Sequence, residues 1–89
     1  MTIATLEKIH ELLKKEAKTR DNARELTRKV YNKRQDDLEE IAAAADDMKD
    51  ESVAAAKRAV EVAKAAYDEA WRQKSDADAA LRDFEEQEF

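Results

Sequence analysis

Glycine, proline and cysteine are absent from all 89 residues. Without glycine or proline, nothing in the chain interrupts a helix or specifies a sharp turn. No glycine-rich loop exists to cradle a phosphate. Without cysteine there is no disulfide and no thiolate chemistry, so the redox compartment is left open. Histidine occurs once and aromatic residues make up 6% of the chain. No apolar run approaches the length of a membrane span, and MTIATLEKIHELL turns charged by Glu7, unlike a signal peptide. These features suggest a soluble, intracellular protein.

What is present is charge and alanine. Charged residues make up 44% and apolar residues 43%, and 18 of the apolar residues are alanine. Alanine is the best helix former but buries little area. A core drawn from so few larger side chains is small, and long helix contacts or a second subunit are expected to complete it. Residues 1 to 34 hold ten Lys or Arg against five acids, and residues 35 to 89 hold seven against seventeen. Such a split suits two partners, or two halves folded on each other.

Nearly every window reads as helix, with no strand alternation. Pairs Glu11–Lys15, Glu16–Arg20, Glu25–Lys29, Asp68–Arg72 and Asp78–Arg82 have the i,i+4 spacing that supports a helix. The second half carries a clean heptad. Val53, Val60, Tyr67, Lys74 and Leu81 occupy position a, and Ala56, Ala63, Ala70, Ala77 and Phe84 position d. Large residues alternating with alanine predict a seam against a closely packed, antiparallel helix, with Trp71 on its flank.

The first half is less regular. Ile9, Leu12, Ala23, Leu26 and Val30 fit one seam, with Ile3, Leu6 and Leu13 beside it, and Glu16 falls at an a position. Leu38, Ile41, Ala45 and Met48 resume the spacing in a shifted frame, which predicts a stutter or a kink at 19 to 22. The segment DDMKDES, 46 to 52, is the best turn, with Asp50 or Ser52 as cap. The expected architecture is therefore all-α: an antiparallel helical hairpin or coiled coil, with helices over about 2–47 and 51–87 and a turn at about 47–51. Two such hairpins are expected to dimerise into a helical bundle. A continuous rod of ~130 Å is the alternative.

Catalytic chemistry lacks its parts. Ser52 and Ser75 have no evident base, and acid pairs such as Asp36–Asp37 suit a solvated face. Glu7 and His10 form E-x-x-H, the di-iron bundle spacing, but no further buried glutamates accompany it. No enzyme activity, metal or cofactor is expected.

Binding is the better prospect. Lys14, Lys18, Arg20, Arg24 and Arg28 could contact phosphates or answer an acidic face. Against nucleic acid stand the interleaved acids and an isoelectric point near 4.9. Trp71, Asp76, Asp78, Asp83, Glu85, Glu86 and Phe89 are candidate partner contacts, because carboxylates along a rigid helix can imitate phosphates. HELLKKEAKTRDNARELTRKVYNK (10 to 33) and ALRDFEEQEF (80 to 89) resemble small Ala- and Glu-rich helical proteins of Firmicutes phages and prophages. The resemblance implies a phage accessory protein of virion structure or assembly. A second possibility is an anti-CRISPR-like or anti-restriction-like inhibitor of a host nuclease or nucleic-acid-binding protein. The expected partner is a second copy, a phage protein or a host protein; no membrane contact is expected.

Overall fold

The computed structural model describes residues 2–45 and 51–88. Two helices account for nearly all of them, α1 (Ile3–Ala44) and α2 (Glu51–Glu88), packed as an antiparallel hairpin measuring 67 × 14 × 14 Å. The Thr2 hydroxyl caps α1 by accepting from the Thr5 amide at 3.2 Å. Ala45 leaves the helix in an extended conformation, and its amide still donates to the Ile41 carbonyl at 3.0 Å. Glu51 places a carboxylate in the first turn of α2, where the helix dipole favours it. Of the expected turn, residues 46–50 lie outside the described residues. Ser52 stands inside α2 rather than capping it.

Among the described residues four side chains form the buried core, and all come from the a and d positions of α2: Val53, Ala56, Ala63 and Ala70. The other six positions of that stripe, Val60, Tyr67, Lys74, Ala77, Leu81 and Phe84, are half-buried. No α1 residue is buried. The asymmetry follows from side-chain size. Alanine can disappear beneath a neighbouring helix, whereas the arginines and tyrosine that cover it from α1 keep their ends in water.

The α1 seam is not the one its apolar spacing suggests. Leu6, His10, Leu13, Ala17, Arg20, Arg24, Thr27, Tyr31, Leu38, Ile41 and Ala45 are half-buried, at strict 3-4 steps but for Arg34, which is exposed. One heptad frame thus runs the length of α1, with no stutter. α1 is a single α-helix through residues 19–22. Leu12, Leu26 and Val30, expected in the interface, are instead 57%, 63% and 49% exposed. The expected a-position Glu16 is exposed too, and accepts from Arg20 at 2.6 Å. Polar residues win the seam because α2 faces them with alanine. The shallow surface leaves room for a guanidinium stem to lie flat and send its head outward.

Contacts along the seam set the register. His10 stacks on Phe84 with ring centroids 6.0 Å apart. Arg20 donates to the Gln73 side chain at 2.9 Å, Arg24 lies 4.8 Å over the Trp71 ring, and Tyr31 meets Tyr67 at 6.0 Å. The basic span 14–34 thereby lies beside roughly residues 60–80, where acids are frequent.

Substituting Ala63→Glu puts a long, charged side chain at a 7% exposed position between two closely packed helices. The expected loss is on the order of 3 kcal/mol or more. Ala65→Glu, on the exposed face of the same helix, should change stability by less than about 0.5 kcal/mol. Thermal melts followed by circular dichroism compare the two; equal losses would mean the seam is not the core.

Candidate interaction surfaces

The antiparallel frame gives the hairpin two long sides. In an antiparallel pair the e positions of both helices lie on one side of the seam and the g positions on the other. The e side is charged. Lys64 pairs with Asp68 at 2.8 Å, Lys74 with Asp78 at 2.8 Å, Arg24 with Asp21 at 3.1 Å, and Arg28 with Glu25. Trp71 sits among them, 41% exposed, between Arg24 and the Lys74 amine at 5.5 Å, with Tyr67 at 6.5 Å. Two cations on one indole hold it against the hairpin.

The g side is apolar over much of its length. Ile9, Leu12, Ala23, Leu26 and Val30 run along α1, the stripe that sequence spacing assigned to the interhelical seam. Ala55, Ala59, Val62 and Ala66 run along α2, and Val62 is 71% exposed. Shallow grooves follow this side. One lies between Val30 and Val62, one between Ile41 and Ala55 near the turn, and a polar one lies among Glu16, Arg20, Gln73 and Asp76. Sequence reasoning registered these apolar residues but not their face. Extending the Leu38–Ile41–Ala45 frame back through Leu13 and Leu6 would have found it.

Of the candidate phosphate-contacting cations Lys18 is exposed, and the other four are paired within the hairpin. Lys14 pairs with Glu11 at 3.5 Å, Arg20 with Glu16 and Gln73, Arg24 with Asp21 and Trp71, and Arg28 with Glu25. The acidic end is partly neutralised as well. Asp76 accepts from Arg72 at 2.9 Å, Asp78 from Lys74, and Glu85 from His10 at 3.1 Å. Asp83 and Glu86 are exposed, and Phe89 lies outside the described residues. Among the described residues no three His, Asp or Glu side chains come together to hold a metal, and His10 is turned to Glu85 and Phe84 rather than toward Glu7. Among the described residues no helix is long and apolar enough to cross a membrane.

Of the five i,i+4 pairs anticipated, Glu16–Arg20 forms. Glu25 turns to Arg28, Asp68 to Lys64, Asp78 to Lys74 and Glu11 to Lys14. Each acid has bases on both sides, and rotamer geometry picks one. The Arg72 guanidinium, helped by the Gln73 amide, pulls the Glu69 carboxyl down to about 2. Hydrogen bonds from Arg28 and Lys33 lower Glu25 and Asp37 in the same way. The chain matches no family model, no curated protein and no solved structure.

A carboxylate lowered in the folded state stabilises the fold above its unfolded pKa and loses that contribution as pH falls through the folded value. For Glu69 the window runs from its ordinary 4.5 down to about 2. Melting temperature should fall with acid across that window, and Glu69→Gln should flatten the fall. The pairs are exposed, so the difference is small. Identical profiles for parent and variant would remove Glu69 from the account.

Proposed function

We propose that this chain is a non-enzymatic helical protein-interaction module, serving as a small accessory component of phage virion structure or assembly. The observation that carries the binding role is the mismatch between core and surface. Among the described residues four side chains are buried, while Leu12, Leu26, Val30 and Val62 stand exposed on one side of the hairpin. Exposed apolar residues ordered on one face mark contact sites. Support for a phage role comes from the resemblance of residues 10–33 and 80–89 to phage-encoded helical proteins.

Inhibition by nucleic-acid mimicry has less support. A mimic needs an unbroken row of free carboxylates, whereas Asp76, Asp78 and Glu85 already have cationic or histidine partners on the hairpin. Direct nucleic-acid binding is weakened by the same internal pairing of Arg20, Arg24 and Arg28.

A photo-crosslinking amino acid at position 62, and separately at position 64 on the charged side, tests the module in the producing cell. The expected result is discrete protein adducts from position 62 and none from position 64, with the protein recovered in purified virions or assembly intermediates. Absence of adducts from both positions would sink the interaction role. Adducts to a host nuclease, with none of the protein in particles, would replace assembly by inhibition.

A further inference from the structure

We infer that the α1 part of the exposed apolar face can be withdrawn: the Ile9–Val30 part of α1 has a second packing on α2, one residue out of step, that turns Leu12, Leu26 and Val30 into the seam. The inference rests on the interaction role proposed above and supplies its regulation.

In an antiparallel pair each a residue of one helix faces a d residue of the other. His10 stacks on Phe84. Heptad spacing then sets Leu13 level with Leu81, Thr27 with Tyr67, Leu38 with Ala56 and Ile41 with Val53. A roll of ~100°, one residue at 3.6 per turn, gives different layers. They are Leu12 with Leu81, Ala23 with Ala70, Leu26 with Tyr67 and Val30 with Ala63. The grooves of the g side lie on the path of that roll. Val30 and Ala63 line one, and Glu16 and Ala77 line another.

Each packing has its polar layers. The first holds Arg20, Arg24 and Thr27 in the seam. The second brings in Glu16 and Thr19, level with Ala77 and Lys74. The roll gives up the Arg20–Gln73 hydrogen bond, the Arg24–Trp71 contact and the His10–Phe84 stack. In return it covers leucines that are 57% and 63% exposed. Two packings of one sequence that trade such terms make a bistable element.

The half of α1 near the turn stays in place. The same roll there would set Asp37 against Ala56 and Glu40 against Val53, which is fully buried. The change of frame is therefore taken up between Val30 and Leu38. Val30, Arg34 and Leu38 are spaced by four, and a departure from the 3-4 rhythm lets a helix change frame by local unwinding. Arg34 is the one exposed position in the α1 seam. A partner on the outer face binds only the first packing, so its apparent affinity falls with the fraction of chains in the second.

The chain has no cysteine, so single thiols report the frame. Leu26→Cys and Thr27→Cys are each reacted with iodoacetamide in the full chain. Leu26 is exposed and Thr27 half-buried, so the position-26 thiol should react faster. Glu16→Leu with Thr19→Leu replaces the two polar residues that the second packing buries; both are exposed in the hairpin. In that background the order should reverse, with position 26 slowed and position 27 quickened roughly tenfold each. Glu16→Leu alone should move both rates part of the way, and helicity by circular dichroism should hold in every variant. An order that neither background changes would overturn the second packing. Slowing at position 26 with no gain at position 27 would overturn it too, because that marks association on the outer face. Adducts from position 62 in cells read the interaction role separately. Adducts with an unchanged thiol order would leave a permanent binding face. A reversed order without adducts would establish the roll and remove its regulatory role.

Discussion

The close approach of two helices across a row of alanines is the constraint on which the rest of the molecule depends. Ala56, Ala63 and Ala70 offer α1 a shallow surface, and Val53 closes the end nearest the turn. Little hydrophobic area is gained there, so the hairpin is held by length rather than depth. Shallow packing also decides what α1 can bring to the seam. Arg20, Arg24 and Thr27 fit because their stems lie flat and their polar ends find partners: Gln73 for Arg20, Asp21 and Trp71 for Arg24, and the Ala23 and Arg24 carbonyls for the Thr27 hydroxyl. Leucines in those places would need a deeper groove.

From that choice the two sides of the rod follow. Polar α1 residues turned inward leave Leu12, Leu26 and Val30 turned outward, with Val62 of α2 across a groove from Val30. The opposite side collects the ion pairs and Trp71. Charge therefore acts at two places with different strengths. Across the seam the basic α1 span lies beside acidic α2. Along each helix the pairs Glu25–Arg28 and Glu69–Arg72 add small local support.

The α2 face was legible in the sequence because its heptad holds without a break and every d position but Phe84 is alanine. α1 was not, for a physical reason. Its larger apolar residues are divided between two stripes, the seam with Leu6, Leu13, Leu38 and Ile41 and the outer face with Leu12, Leu26 and Val30. Hydrophobicity alone cannot rank two stripes of similar strength, so the outer one passes for the seam and the true one looks interrupted. The apparent stutter is the crossing from one stripe to the other.

The sequence by itself determined that the chain is helical, that α2 buries its alanine edge, and that the two halves carry opposite charge. Composition and period are local properties, and a helix expresses them wherever it packs. Tertiary structure alone decided which face of α1 turns inward. That depends on the shape of the opposing surface. Rows of alanine accept arginine stems and an aromatic ring, and so leave to solvent the leucines that periodicity would have buried.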